Sequence, residues 1–177
     1  MTMAPLPAAE VGSILRARLE SFAQEVCAAA GPVERAGLAV RLRIPAHRAG
    51  PGVAPICDDV EVFADHLASQ CEQLQTRLRQ GPRVLAAAQR ASVLVADLDR
   101  EQRWPVFRTT AATRHGLAAV QVEPLIRRGG PVLGTLAWYT GRAAAFPHRS
   151  GTDLRRAYTA TVTAALIAVH RTTDPAH

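Results

Sequence analysis

Apolar residues return every three or four positions near the start of the chain, which is the spacing of one face of an α-helix. The seam consists of Val11, Leu15, Leu19, Phe22 and Val26. It predicts a helix from about Glu10 to Ala30, and its near-heptad spacing suits packing against another helix. Gly31 and Pro32 end it, because proline cannot continue the helical hydrogen bonds.

The next segment changes to a period of two, which is the spacing of a β-strand. In residues 38–44, apolar side chains alternate with alanine or arginine, and this predicts a half-buried strand. Residues 45–55 are rich in proline and glycine and predict a loop. Val60 and Val62 lie in a second short strand, so we expect the two strands to form a hairpin.

Helical spacing returns after this hairpin. The apolar positions are Leu67, Cys71, Leu74 and Leu78. Gly81 ends the helix, and Pro82 suits the first position of a second, short helix through Arg90. The apolar, β-branched run Ser92–Leu98 predicts a buried strand, and the stretch from about residue 104 to 115 predicts another helix.

Two apolar runs, Ala118–Ile126 and Val132–Tyr139, flank paired glycines at positions 129 and 130. Because glycine tolerates the positive φ angles of tight turns, the pair predicts a β-hairpin. Both alternating faces of the runs are apolar, so we expect the sheet to be covered on each side. Pro124 has no amide donor, which predicts a bulge or a local edge at that position.

A long amphipathic helix follows, from Thr152 to just before Pro175. The order of elements is therefore helix, two strands, two helices, strand, helix, hairpin and helix. Strands and helices do not alternate strictly, so we predict the α+β class with an antiparallel sheet between helices. We expect one domain, residues 10–172, between a disordered tail of residues 1–9 and a C-terminal tail of residues 173–177.

Charge adds little to this picture. The chain has 177 residues and a formal charge of +6, and all 21 of its basic residues are arginine. They are scattered, so a solvated surface is favoured, although an arginine-mediated nucleic-acid-binding regulator stays an alternative. No apolar run reaches the roughly 20 residues that cross a bilayer, and the N-terminus lacks the features of a secretory signal. We expect a cytoplasmic protein.

Five short segments carry a resemblance to a known family. They are QLQTRLRQGP at 73–82, Val93–Leu98, RWPVF at 103–107, Val122–Leu125 and VLGTLAWY at 132–139. In this order they resemble the GAF family, especially the sensor domains of actinobacterial GAF–ANTAR regulators. The resemblance covers nearly the whole chain. It implies a GAF/PAS-like antiparallel sheet, sandwiched between a layer formed by the N- and C-terminal helices and a layer of shorter helices.

The resemblance also implies a function. We expect a stand-alone sensor or regulatory domain in signal transduction or transcriptional control, which binds a small molecule or a protein partner and relays through its terminal helices. The chain ends soon after its last predicted helix, so we expect no ANTAR output domain and transmission to a partner. The identity of the ligand and of the partner stays open.

In the family, a small-molecule pocket lies between the sheet and the shorter helices. The resemblance implies that it is lined by Trp104, Phe107, Arg108, Arg114, Gln121 and Trp138. The two aromatic residues at 104 and 107 lie on one helical face, and either arginine is able to reach an anionic group. Plain core packing is the alternative, and it is favoured for Phe107.

The terminal helices suggest a homodimer. Family members often pair these helices into a four-helix bundle, and the last helix carries an alanine-rich strip that allows close approach of a partner. The predicted interface consists of Leu15, Phe22, Ala157, Ala160, Ala164 and Ile167. A monomer with an exposed alanine strip is the alternative.

Catalytic chemistry is not evident in the sequence. No spacing of the three cysteines with histidine suits a metal, and we expect no metal, no cofactor, no catalytic residue and no enzymatic activity. Some GAF-like proteins reduce free methionine sulfoxide through cysteines, and this is the alternative from the enzyme class. Cys57 is the freest candidate for it, because Cys27 and Cys71 fall beside apolar seams.

Overall fold

A computed structural model of the chain describes residues 13, 16–21, 24, 36–44, 58–126 and 129–146. In this part of the chain, residues 16–21 are helical. The strands are β1 (Ala36–Ile44), β2 (Asp58–Phe63), β3 (Val93–Val95), β4 (Ala119–Ile126) and β5 (Val132–Thr140). The helices that follow β2 are α1 (His66–Leu78), α2 (Pro82–Gln89) and α3 (Pro105–His115), with a short 3₁₀ helix at Leu98–Arg100.

The strands form one sheet in the order β2-β1-β5-β4-β3, and all neighbours are antiparallel. This confirms the predicted α+β class. The pairing of β1 with β5 joins the first two strands to the last three, so that the five strands form one sheet.

One face of the sheet, here called the helix face, packs against the shorter helices. Its core positions on the last two strands are Val120, Val122, Ala137 and Tyr139. They pack in one cluster with buried residues of the helices, among them Cys71, Leu74, Ala86, Phe107 and Ala111. Because side chains alternate along a strand, the residues between them point to the other face.

The opposite face is also buried. Val40, Leu136 and Trp138 are each at most 5% exposed. Leu19, in the helical residues 16–21, is buried as well, and Arg16 donates a hydrogen bond of 3.0 Å to the carbonyl of Glu61 in β2. Burial on both faces is what the doubly apolar strands predicted. The rest of the predicted terminal helix layer, including residues 152–175, lies outside the described residues.

The break between α1 and α2 follows the sequence. The side chain of Asp65 accepts the amide of Ala68 at 2.8 Å and caps the start of α1. The helix ends at Arg79 in a left-handed conformation, Gly81 has φ of 133°, and Pro82 occupies the first turn of α2.

Two local predictions, the strand over residues 92–98 and the irregularity at Pro124, have different outcomes. The strand predicted over Ser92–Leu98 is wrong in length, because only Val93–Val95 pair with β4 and the fully buried Leu98 starts the 3₁₀ helix. Asp97 causes the change, since its side chain accepts the amide of Asp99 at 3.0 Å and turns the chain. Pro124 does lie at a local edge, beyond the end of β3, while the register shift falls between residues 125 and 126.

Candidate functional site

A cavity of about 400 Å³ lies between α2 and the β1–β5 part of the sheet. It is lined by Arg41, Arg83, Ala87, Ala88, Val132, Gly134 and Thr135. Arg41 and Thr135 are register partners on neighbouring strands, and the arginine and alanines of α2 form the facing wall. The short side chains of alanine and glycine leave this space open.

The two lining arginines meet at one hydroxyl oxygen. Nη1 of Arg41 donates to Oγ1 of Thr76 at 3.1 Å, and Nη2 of Arg83 donates to the same atom at 3.0 Å. The Thr76 hydroxyl donates its own hydrogen bond to the backbone carbonyl of Glu72 at 3.0 Å. It therefore uses its one donor and both lone pairs, and it holds the two guanidinium groups together.

Each guanidinium also has a carboxylate beside it. Nη1 of Arg41 lies 3.0 Å from Oε1 of Glu61, and Nε of Arg83 lies 2.6 Å from Oε2 of Glu72. The second contact is an ion pair that is not aligned as a hydrogen bond. The first pair is partly exposed, with 23% and 34% of the side chains accessible, whereas the second pair is 11% and 2% accessible.

Behind Arg83 a polar network enters the core. Tyr139, in β5, donates its hydroxyl proton to Oε1 of Glu72 and accepts Nε2 of Gln75 at 2.8 Å. Oε1 of Gln75 accepts the backbone amide of Arg83 at 2.8 Å. The network therefore joins α1, the first turn of α2 and the central strand β5.

Burial sets the electrostatics of this network. Removal from water raises the pKa of Glu72, an effect that the neighbouring Arg83 charge opposes. Burial also raises the pKa of Tyr139 well above its ordinary value, so its hydroxyl stays protonated and can donate. A carboxyl that holds its proton to higher pH leaves the guanidinium beside it less compensated.

The sequence-predicted ligand residues are placed elsewhere. Trp104 stands at the N-cap position of α3 and is 7% exposed, and Phe107 is fully buried; both belong to the core on the helix face. The Arg103 guanidinium carbon lies 4.5 Å from the centre of the Trp104 ring. Arg108 is half-buried and donates to the carbonyl of Glu101 at 3.3 Å.

The other three predicted residues do not join them, which corrects the expected grouping. Arg114 is exposed near the end of α3. Gln121 and Trp138 are buried register partners, but they alternate with Val122 and Tyr139 and so lie on the opposite face of the sheet. The sheet thus separates the predicted set, and none of its six members lines the cavity. Binding by any of them stays a prediction.

Sequence reasoning missed the residues that build the cavity and its network. Arg41 looked like the solvent side of a half-buried strand, and Arg83 like one of many scattered arginines. A usable signal did exist in α1, where Glu72 and Gln75 fall on the same helical face as Ala68 and beside Cys71. Two polar residues on an apolar face indicate a buried polar network, because each must be hydrogen-bonded there.

Comparison with solved structures identifies the fold. A GAF domain region from Geobacter sulfurreducens PCA is similar at 14% identity and a TM-score of 0.59, with 90% of this chain and 97% of that chain covered. A domain of a protein assigned as a two-component sensor histidine kinase from Sinorhizobium meliloti 1021 has 13% identity and a TM-score of 0.54, with 86% and 91% covered. The chain has a GAF-like fold. No protein-family model and no curated protein sequence matches it.

At sequence identities of 13–14%, these comparisons show a GAF-like fold. The link to actinobacterial GAF–ANTAR regulators stays a prediction. The fold also corrects one expectation. A free methionine-R-sulfoxide reductase from Neisseria meningitidis, determined in complex with its substrate, is similar at 15% identity and a TM-score of 0.53, with 94% of this chain and 89% of that chain covered. The expectation of no enzymatic activity was therefore wrong as an exclusion, because the same GAF-like fold includes an enzyme.

The structure describes one of the three cysteines and none of the predicted interface residues. Cys71 is fully buried in the GAF-like core, as its seam predicted, whereas Cys27 and Cys57 lie outside the described residues. All six residues of the predicted dimer interface also lie outside them. Within the described ranges, no three acidic, histidine or cysteine side chains group as a metal site, and no helix is long and apolar enough to cross a membrane.

Proposed function

We propose that the chain is a sensory domain in signal transduction, which binds a small molecule in the cavity between α2 and the β1–β5 part of the sheet. The observation that carries the proposal is this cavity of about 400 Å³, lined by two convergent arginines. Its volume falls in the range of small-molecule sites, roughly 300–1,000 Å³. Similar folds in the G. sulfurreducens GAF domain region and in the domain of the protein assigned as a sensor histidine kinase support the sensory role by analogy.

The relay in this proposal runs through Arg41. Its guanidinium contacts the Glu61 carboxylate, and the Glu61 carbonyl accepts Arg16 at 3.0 Å from the helical residues 16–21. A ligand that draws Arg41 into the cavity changes its contact with β2, and so biases the position of the N-terminal helix. Occupancy is then expressed as a population shift between arrangements of the terminal helices.

The proposal includes the wider arrangement that the sequence predicted. The domain works in the cytoplasm as a homodimer paired through its terminal helices, and it passes its signal, including one that controls transcription, to a partner protein.

Ligand binding is tested with a variant that fills the cavity. Ala88 is an exposed lining residue on α2, so Ala88→Trp places an indole at the cavity without disturbing the core. Gln89→Trp is the matched control, because the next residue is exposed and does not line the cavity.

Native mass spectrometry and a thermal-shift screen of small metabolites are run on all three proteins. We expect at least one small molecule to bind the parent chain and Gln89→Trp but not Ala88→Trp, and the mass to equal that of two chains. Binding that is equally strong in Ala88→Trp, or no binding by any molecule, argues against a sensor at this cavity.

A second candidate function is reduction of free methionine sulfoxide, which the similarity to the N. meningitidis reductase favours. It requires an accessible thiolate, and the burial of Cys71 leaves Cys27 and Cys57. Cys57 is tested first, because the sequence places it in a loop, whereas Cys27 falls beside an apolar seam. The protein is assayed with free methionine-R-sulfoxide and dithiothreitol as reductant, before and after Cys57→Ser. Turnover that Cys57→Ser abolishes supports this function, and absence of turnover in the parent protein rejects it.

A further inference from the structure

We infer that the cavity takes a small organic anion, whose oxyanion group is bound between Arg41 and Arg83. This inference rests on the proposed function, because it names the ligand class of the same cavity. The first support is the charge of the lining, whose described residues include two guanidinium groups and no carboxylate. A cavity walled by one sign of charge concentrates ions of the opposite sign.

The geometry of the two arginines adds to the charge. Both donate to the single oxygen of Thr76, at 3.1 and 3.0 Å, so their positive groups are held side by side although like charges repel. An anion between them relieves that repulsion. Planar guanidinium groups also present paired N–H donors, which match the two oxygens of a carboxylate or phosphate.

Arg83 keeps donors for a ligand. Its Nε faces Glu72 and its Nη2 bonds Thr76, which leaves Nη1 with no partner among the described residues. Its backbone is fixed as well, since the Arg83 amide bonds Gln75. The group is therefore positioned before any ligand arrives, and preorganisation of this kind lowers the entropy cost of binding.

The acidic partners of the two arginines lie outside the lining of the cavity. Glu61 and Glu72 contact the guanidinium groups but are not part of the lining. Burial also raises the pKa of Glu72, which weakens its compensation of Arg83. The lining therefore presents guanidinium N–H donors to a ligand.

The lining residues other than the two arginines indicate the size and polarity of the rest of the ligand. Ala87, Ala88 and Val132 supply a small apolar wall, and Thr135, itself only 4% exposed, completes the floor. Such a wall suits a short alkyl chain or a single ring rather than a highly charged polyanion. The ligand class is a compact molecule with one oxyanion group and an apolar body.

Benzoate, phenyl phosphate and the neutral benzamide are suitable probes, because they share a ring and differ in the head group. Each is titrated into ¹⁵N-labelled protein while the amide signals of Arg83, Ala87, Ala88 and Gly134 are followed. We expect benzoate or phenyl phosphate to shift these signals and benzamide to leave them unchanged. The ratio of the two anion affinities separates a carboxylate site from a phosphate site.

Variants assign the binding to the arginines. Arg41→Gln removes a partly exposed charge, and Arg83→Gln is made together with Glu72→Gln so that no buried carboxylate is left alone. We expect each to weaken anion binding roughly ten-fold or more, the loss of one charged hydrogen bond. Arg77→Gln, an exposed arginine of α1 outside the cavity, is the control and is expected to bind as the parent does.

Three results overturn the inference. Benzamide binding as strongly as benzoate at these amides defeats the anion class and leaves a small-molecule cavity intact. Anion binding that Arg77→Gln weakens as much as Arg41→Gln shows attraction by overall charge. If no probe shifts the cavity amides, the anion inference is rejected. The proposed sensor function is rejected only if the metabolite screen also finds no ligand.

Discussion

Tyr139 of β5 donates a hydrogen bond to the buried carboxyl of Glu72 in α1, across a sequence separation of 67 positions. Both side chains are almost completely inaccessible, and each has a further polar partner in Gln75 or Arg83. A buried polar group that loses its partner keeps the full cost of its removal from water. The pair therefore ties α1 to the centre of the sheet, and Glu72 also contacts Arg83, which lines the cavity.

Tyr139→Phe tests this tie. The substitution keeps the ring but removes the hydroxyl, so Oε1 of Glu72 and Nε2 of Gln75 both lose a partner. We expect the free energy of unfolding to fall by roughly 2 kcal/mol, within the range of about 1–3 kcal/mol for an unsatisfied buried group. Urea denaturation followed by circular dichroism measures the change.

Thr113→Val is the control for that experiment. It also deletes a hydroxyl, but one on an exposed position of α3 that bonds the carbonyl of Thr109 at 2.7 Å. We expect a change within about 0.5 kcal/mol. Equal losses for the two variants would mean that the buried network adds no stability of its own.

The pH dependence of stability reports on Glu72. Burial raises its pKa in the folded state, so the folded protein holds the proton more tightly than the unfolded chain does, whose glutamate pKa is about 4.3. Stability from this group is present below that value and is lost as the pH rises through the folded pKa. We therefore expect Glu72→Gln to gain stability relative to the parent as the pH rises above about 4.3.

Glu101 provides a control of opposite sign. Its pKa is lowered, first by the hydrogen bond from Arg103, so it stabilises the fold above the unfolded pKa and loses this effect as the pH falls. Glu101→Gln is expected to lose stability relative to the parent as the pH rises towards the unfolded pKa of about 4.3, with no further change above it. Denaturation curves of the three proteins from acid to neutral pH measure both effects, and a gain for Glu101→Gln below that pKa, or a loss for Glu72→Gln above it, contradicts the assignment.

The sequence predicted the elements well because their signals are local. Gly81 and Pro82 mark the helix break by backbone chemistry alone, and the hairpin follows from apolar runs around a glycine that does adopt a positive φ, Gly129. The site depends on pairings that no local pattern contains. Arg41 reaches Arg83 only because β1 pairs with β5 and α2 packs over that pair.

The separation of Gln121 and Trp138 from Trp104 and Phe107 has a different cause. The resemblance implies one pocket for all four residues, but it does not indicate which alternate residues of a strand face the helices. Tyr139 packs with Phe107 on the helix face, so Trp138 must point the other way, and its register partner Gln121 goes with it. When a strand is apolar on both faces, its sequence does not indicate which alternate residues face the helices, because either set is suitable for a core.

Gly81 is expected to be among the least replaceable glycines of the chain. Its φ of 133° is a region that side chains rarely adopt, and a Cβ there would lie 2.6 Å from Oε1 of Gln75. Gln75 has no room to move, since it bonds both Tyr139 and the Arg83 amide. We expect Gly81→Ala to lower the free energy of unfolding by about 3 kcal/mol or more and to weaken binding at the cavity.

Gly129→Ala separates backbone strain from the clash. This residue also has a positive φ, 67°, but a Cβ would meet no atom of the described residues within 4 Å. The expected loss is therefore only the conformational cost of about 1–2 kcal/mol. A similar loss for the two variants, measured by the same denaturation, would show that contact with Gln75 is unimportant.

Cys71 is expected to be chemically inert in the folded protein. It is fully buried, and burial together with the nearby charge of Glu72 raises the pKa of its thiol, so almost no thiolate is present near neutral pH. Alkylation by iodoacetamide, mapped by mass spectrometry of peptides, should reach Cys71 only as fast as the protein opens, and at full speed in urea. Labelling of Cys71 in native buffer at the rate seen in urea would mean that α1 opens readily from the sheet. In that case the Glu72–Tyr139 hydrogen bond would not hold the helix in place, and Arg83, which contacts Glu72, would not be preorganised for a ligand.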